Sequence, residues 1–225
     1  MKMPIFRSGA QAPRVALASQ SPRRKTILEQ FGFGVEVVGS GFDEAMLSLR
    51  RAPEDYVVAA ARGKALGAAH SLPIVAGDTI VVLDNEIFGK PSDPAAAAEM
   101  LARLSGRTHE VLGAAVLRVG TRTTEALDRT RVTFRPLSAQ EIAAYVASQE
   151  PMGKAGAYAI QGLGSRLVQE FSGSYWNIVG FPIELFLEMW RAEQLECRMP
   201  NVECQRQISN AKEPIKGATD GCRSR

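Results

Sequence analysis

The sequence predicts an α/β protein with one central mixed β-sheet flanked by helices. Apolar runs of strand length at "RVALA" (14–18) and "VEVV" (35–38) alternate with stretches of helical periodicity, the pattern of β–α–β units and parallel pairing. The run "PIVAGDTIVVLDNEIFGKP" (73–91), by contrast, turns at Asp84-Asn85 in the manner of an antiparallel hairpin, and two long β-rich segments follow it. Both kinds of pairing in one chain mean a mixed sheet. The 225 residues are 45% hydrophobic, enough for a sizeable core, and no repeat or linker divides them.

After a polar extension (1–13), the first strand runs into Ser21-Pro22-Arg23-Arg24. Proline at a first helical position, with Ser21 as N-cap, starts a helix through "RRKTILEQF". Pro53 opens a longer helix, "EDYVVAAARGKALGAAH", in which Tyr56, Val57, Ala60, Ala61, Lys64 and Ala65 recur at helical spacing, so that Lys64 lies beside the apolar stripe. Within 73–83, Gly77-Asp78-Thr79 is expected to interrupt the apolar strand. Asp93-Pro94 caps an alanine-rich helix up to Leu104, "HEVLGAAVLRVG" and "RTRVTFRPL" read as β, and Ser138 with Glu141 forms a capping box before "EIAAYVAS". Residues 153–182 read as glycine-punctuated β structure, and Pro182 begins a final amphipathic helix ending near Gln194. The body therefore spans 14–194, and the tail, 195–225, lacks apolar periodicity and is expected to be disordered.

Composition narrows the chemistry. There are 27 basic and 24 acidic residues, and most of the small excess falls in the tail, so the body offers no bulk field for duplex nucleic acid. No apolar run approaches the roughly 20 residues of a membrane span and the N-terminus lacks a signal-peptide apolar core, which points to a cytoplasmic protein without a membrane partner. The three cysteines, Cys197, Cys204 and Cys222, all lie in the tail without zinc-site spacing, which excludes a cysteine nucleophile in the body. Two histidines, His70 and His109, are too few for a His-rich metal centre. Catalysis falls to carboxylates, lysines, arginines and hydroxyls.

Arg23 and Arg24 stand where a helix begins, the end that already carries partial positive charge from unpaired N–H groups, so an anion is expected there. Arginine's planar donors fit phosphate, and Ser19 and Ser21 adjoin them. Asp78 interrupts an apolar run, where a buried carboxylate is costly unless it meets a cation or hydrogen-bond donors; a strand-end turn aspartate is the plainer alternative. Lys64 and Lys90 are individually ordinary and fit solvated lysines as well as a site. Glu44, after Asp43, follows a strand and a glycine turn, a place for a metal-ligating or water-orienting carboxylate or simply for a surface acid. In "GAYAIQGLGS" (156–165) glycines surround Tyr158 and Gln161, whose amide offers donor and acceptor together to a nucleobase edge; a ligand-free glycine-kinked strand pair fits the same run. No Walker A loop or dinucleotide fingerprint is present.

Taken in order and spacing, "LASQSPRR", Asp43-Glu44, Lys64-Ala65, "GDTIV", "GKPSDPAAAAEMLARLSGRTHEV", "GKAGAYAIQG" and "GSYWNIVGFP" resemble the Maf family of nucleoside triphosphate pyrophosphatases over about residues 14–191. The resemblance implies a single elongated domain of the fold shared with inosine triphosphate pyrophosphatases, a homodimer, and hydrolysis of nucleoside triphosphates to monophosphate and pyrophosphate with Mg2+, Mn2+ or Co2+. It puts the catalytic carboxylate on Asp78 and the other site acid on Glu44, both toward the metal. The site lysines fall on Lys64 and Lys90, and Ser19, Arg23 and Arg24 fall in the phosphate cradle. Attack of water at the α-phosphorus needs a base or metal to activate the water and positive groups to neutralise developing charge, which this set supplies.

Asp78-Thr79 and Tyr158-Ala159-Ile160-Gln161-Gly162 match the branch acting on dTTP and UTP, with Arg23, Thr79 and Gln161 at the positions that distinguish branches. The 7-methyl-GTP branch has Ser-Asp-Gln and a later glutamate instead. The expected role is house-cleaning of dTTP, UTP or modified pyrimidine nucleotides. The alternatives are 7-methyl-GTP hydrolysis and a regulatory binding protein of septum formation, and the intact acids and lysines favour catalysis. One departure is "RGKA" where the family commonly has "REKA": Gly63 is expected to loosen the helix around Lys64 modestly.

Overall fold

The computed structural model describes residues 12–47 and 51–198. It divides the chain into two units, residues 1–189 and 190–225, and the sheet lies in the first. Its strands are β1 (Arg14–Leu17), β2 (Gly34–Val37), β3 (Ile74–Leu83), β4 (Glu86–Phe88), β5 (Thr108–Val119), β6 (Arg122–Phe134) and β7 (Val168–Ser172). The sheet order is β2-β1-β3-β5-β6-β7, with β4 paired to β3. β1 runs parallel to both β2 and β3, and every other pair is antiparallel. The mixed sheet thus matches expectation. Its parallel pairs join strands separated in sequence by α1 (Pro22–Gln30) and α2 (Pro53–Gly67), because a parallel connection needs a crossover long enough to return the chain to the same end.

β3 is buried on both faces, so its alternate residues serve different layers. Ala76, Ile80 and Val82 meet the α2 stripe of Val57, Ala61 and Ala65 together with Leu112, Ala114 and Val116 of β5. Val81 and Leu83 enter a second core with Val111, Phe134, α3 (Pro94–Leu104) and α4 (Ala139–Ala147). Full burial of one large aliphatic side chain contributes about 1.5–3 kcal/mol, so a strand packed on both sides is the best-anchored element available to carry a functional group.

Local signals act as read. Asp84 and Asn85 have φ of 51° and 65°, the left-handed pair that a two-residue hairpin of this twist requires. The Asp93 side chain accepts from the Ala96 N–H, and Ser138 and Glu141 make the reciprocal capping box.

Four expectations are corrected. β3 is continuous: Gly77, Asp78 and Thr79 pair in register with Ala115, Ala114 and Gly113. Gly77 is a packing glycine, since a Cβ there would lie 2.9 Å from both the Ala114 carbonyl oxygen and the Phe181 ring. Within residues 153–182 only β7 is strand: 3-10 segments at Ala155–Ala157 and Gly162–Leu167 precede it and α5 (Tyr175–Val179) follows it, joined by turns. Gly153, Gly156, Gly162, Gly173 and Gly180 all have positive φ, through which a strand cannot continue. Ser21 holds the N-cap position of α1 with extended backbone, but its side chain makes no cap bond. The last helix, α6 (Ile183–Arg198), runs past Gln194, in keeping with the helix propensity of Leu195, Glu196 and Arg198.

The N-terminal extension up to residue 11 and the expected tail from residue 199 lie outside the described residues. Among the described residues no helix is long and apolar enough to cross a membrane.

Candidate active site

A cavity of about 730 Å3 opens beside the end of β1 and the middle of β3. Its lining brings together Ser19, Arg23, Arg24, Glu44, Lys64, Asp78, Thr79, Lys90 and Gln161, every site residue the sequence singles out.

Two periodicities build its floor. Strand alternation sets Asp78 on the face of Ala76 and Ile80, and helical spacing sets Lys64 on the α2 stripe. Packing α2 on β3 then makes them neighbours: Lys64 Nζ donates to Asp78 Oδ1 at 2.8 Å and stands 2.7 Å from Glu44 Oε1. Arg24 Nη2 lies 3.6 Å from the same Asp78 oxygen. The Asp78 and Lys64 side chains are 12% and 9% exposed against 47% for Glu44, so the first two form the floor and Glu44 the solvent-facing edge. Burial acts to raise the Glu44 pKa, but the Lys64 hydrogen bond and the charges of Lys64, Lys90 and Arg24 outweigh it and hold the carboxyl below its ordinary value. Lys90, just past β4, is exposed at the rim.

Glu44 is placed by the loop before it. It opens a short 3-10 turn, Glu44–Met46, in which Asp43 Oδ1 accepts from the Ala45 N–H at 2.9 Å. The loop leans on α2 at two glycines four residues apart. A Cβ at Gly63 would come within 2.3 Å of the Phe42 ring, and one at Gly67 within 2.0 Å of the Ser40 carbonyl oxygen. The expected loosening at Gly63 is therefore corrected: α2 runs unbroken from Pro53 to Gly67, and the missing side chain makes room for the ring that precedes Glu44.

The adjacent arginines behave differently. Arg24 is buried and committed to the protein: Nε donates to the Gly180 carbonyl at 3.1 Å, Nη1 to Ser19 Oγ at 3.0 Å and Nη2 to Thr79 Oγ1 at 3.4 Å. Thr79 Oγ1 in turn donates to Gly180 O at 3.1 Å, and Ser19 Oγ accepts from the Ser21 N–H at 3.2 Å. Arg24 thus ties the loop after β1 to β3 and to the end of α5. Arg23 is half-buried, and its Nε is buried with no hydrogen-bond partner. Burial lowers the Arg23 pKa, and burial together with the charge of Arg23 lowers that of Lys154, which also lines the cavity. This wall offers positive charge to an anion.

The sequence reading misses Lys154, Tyr56 and Asn177. Lys154 and Tyr56 line the cavity, and burial, then Asp78 and Glu44, raise the Tyr56 pKa. Asn177 is fully buried; its Nδ2 donates to the Val111 carbonyl at 3.0 Å and Thr130 Oγ1 at 3.1 Å, seating α5 so that Gly180 meets Arg24. A lone asparagine inside the apolar run "YWNIV" is the signal that marks it. On the opposite wall Tyr158 is buried, and its hydroxyl lies 2.9 Å from His109 Nε2. Gln161 is exposed at the cavity.

Among the described residues no group of three or more His, Cys, Asp or Glu side chains is placed to hold a metal ion. Two carboxylates, Asp78 and Glu44, do converge on one cation, the Lys64 ammonium. That donor set suits a hard divalent ion shared with substrate phosphates, the way Mg2+ is commonly bound, rather than a cage made wholly of protein.

The chain matches the family model described as Maf-like protein over residues 14–193. It is 51% identical over 174 residues to the dTTP/UTP pyrophosphatase of Salmonella typhimurium (strain LT2), covering 74% of this chain and 86% of that protein. The dTTP/UTP pyrophosphatase of Shewanella denitrificans is 48% identical over 178 residues, 74% of this chain and 89% of its own length, and that of Escherichia coli (strain K12) 45% over 171 residues, 74% and 86%. A match of this extent, with its motif residues gathered in one cavity, places the chain in the Maf family.

Proposed function

We propose that this chain is a dTTP/UTP pyrophosphatase, hydrolysing these nucleotides to monophosphate and pyrophosphate. The observation that carries the reading is the buried Asp78 held between Lys64 and Arg24 at the floor of a cavity of about 730 Å3, within the usual range for a small-molecule site. The names of the relatives support the substrate class.

In this mechanism the Asp78 carboxylate takes the proton of a water that attacks the α-phosphorus, the bond from that phosphorus to the bridging oxygen breaks, and pyrophosphate leaves. Lys64 keeps Asp78 and Glu44 in register, and Arg24 fixes the middle of β3, on which Asp78 and Thr79 sit. Arg23, Lys154 and Lys90 neutralise charge gathering on the phosphoryl and departing oxygens. A divalent ion, Mg2+, Mn2+ or Co2+, held by Asp78, Glu44 and the substrate phosphates would supply Lewis-acid polarisation at the reacting phosphoryl group.

Gln161 reads the base. A neutral amide both donates to and accepts from a uracil or thymine edge, whereas the glutamate of the other branch suits 7-methylguanine. An unpaired polar group in a closed pocket costs roughly 1–3 kcal/mol, enough for about tenfold discrimination. The test is a panel of nucleoside triphosphates with each of the three metals, scored for monophosphate and pyrophosphate. UTP and dTTP should exceed 7-methyl-GTP by about tenfold or more in kcat/KM. Release of orthophosphate alone would overturn the reaction, and a preference for 7-methyl-GTP would overturn the substrate assignment.

A further inference from the structure

Gln161 occupies the N-cap position of the 3-10 turn Gly162–Leu167, with extended backbone, yet its side chain makes no cap bond. An N-cap side chain ordinarily accepts from the N–H of the second or third residue of the turn. Here those N–H groups, on Leu163 and Gly164, are taken by a carboxylate from elsewhere in the chain. Glu150 Oε2 accepts from Leu163 N at 3.0 Å, and Glu150 Oε1 accepts from Gly164 N at 2.8 Å.

Other contacts hold that carboxylate in place. Tyr145, on α4, donates its hydroxyl to Glu150 Oε1 at 2.9 Å and accepts from the Ala159 N–H at 3.3 Å. Lys154 Nζ donates to the Glu150 main-chain carbonyl. Gly162 has a φ of +76°, and a Cβ there would lie 2.6 Å from Glu150 Oε2, so glycine is needed for the carboxylate to approach. Burial works to raise the Glu150 pKa, but the bonds from Gly164, Leu163 and Tyr145 and the charge of Lys154 hold it below the ordinary value, so the cap keeps its charge at neutral pH. Glu150 itself is not part of the cavity lining.

We propose that Glu150 is a specificity-positioning residue: by capping the turn that follows Gln161, it releases the Gln161 amide from that duty and fixes it toward the cavity to read the base. This rests on the pyrophosphatase reading for the nature of the ligand. Glu150 acts through Gln161 and touches no reacting atom.

The test uses the full chain and two variants. Glu150→Gln replaces one acceptor oxygen with an NH2 group, which can donate but cannot accept from an N–H. Tyr145→Phe keeps the ring and removes only the hydroxyl between Glu150 and Ala159. Binding of UMP and of 7-methyl-GMP is measured by calorimetry without metal, and kcat and KM are measured for UTP. The wild type should favour UMP by about tenfold or more; Glu150→Gln should cut that preference to about threefold or less by weakening UMP, raising the UTP KM about tenfold with kcat within about twofold. Tyr145→Phe should move both in the same direction by a smaller factor, and it decides the matter alone if Glu150→Gln does not fold. An unchanged UMP preference in the variants, or equal weakening of both ligands, would overturn the proposal, as would a wild type without the preference. A wild type that prefers UMP and loses the preference in the variants while hydrolysing no nucleotide would uphold it and overturn the pyrophosphatase reading.

Discussion

On one side of the cavity Asp78 and Lys64 project from β3 and α2, elements buried against each other in the core. On the other, Lys154, Tyr158 and Gln161 project from turns in which Gly153, Gly156, Ala157 and Gly162 all have positive φ. The first side is held by apolar packing, and its charges are paired with one another. The second is held by side chains that bond to backbone: Glu150 to Leu163 and Gly164, and Tyr145 to Ala159. Packing fixes a group rigidly but makes an unpaired charge costly, which suits chemistry that needs one carboxylate in one place. A hydrogen-bonded turn can be retuned residue by residue without disturbing a core, which suits recognition. Changes at Asp78 and Lys64 should therefore appear in kcat, and changes at Gln161 in KM and selectivity.

The largest expected effect breaks the floor. Asp78→Asn keeps the shape and removes the charge, so kcat for UTP should fall about a thousandfold or more, roughly 4 kcal/mol in the barrier, with KM changed far less and the circular dichroism spectrum retained. Turnover near the wild-type value would remove Asp78 from the mechanism.

His109 tests the seam between the two regions, because it belongs to β5 while its Nε2 meets the hydroxyl of Tyr158 on the turn wall. The ring is 1% exposed, and burial lowers its pKa from 6.5 to about 4. The folded protein thus keeps it neutral while the unfolded chain takes up a proton, so its contribution is present above the ordinary value and lost as pH falls toward about 4. At 1.36 kcal/mol per unit that gap amounts to about 3 kcal/mol. Urea unfolding of the wild type should show a loss of this order between about pH 7 and pH 4 beyond that of His109→Asn, and parallel profiles would show that the ring titrates normally.

The smallest effect sharpens the wall. Gln161→Glu should lower kcat/KM for UTP and dTTP by about tenfold and leave 7-methyl-GTP less affected, since an ionised carboxylate can only accept. Equal losses for all three would mean that Gln161 does not read the base.

The floor was more legible in the sequence than the wall. Asp78 stands out because a carboxylate in an apolar run violates burial, and Lys64 because helical spacing sets it on the apolar stripe. Regular elements have a period, and a period can be read. Residues 153–167, before β7, have none: Gly153, Gly156 and Gly162 have positive φ, which ends a strand, and reading this stretch as β mistakes what those glycines do. Neither Lys154 nor Glu150 is marked by periodicity or by a violated burial rule, because their significance lies in the turn that folds back onto them.

By itself the sequence determined the kind of sheet, the caps at Asp93 and Ser138, the hairpin at Asp84-Asn85, and the residue types that chemistry on a phosphate requires, all of which depend on neighbours within a few positions. Only the tertiary structure decided that Arg24 is pinned inside the protein while Arg23 presents an unpaired donor, that Gly77 and Gly63 exist to let aromatic rings approach, and that Glu150 caps the turn beginning at Gln161. The reason is geometric: periodicity says which face of an element a side chain occupies, but not which partner meets that face. Arg24 finds the carbonyl of Gly180 across 156 residues of chain.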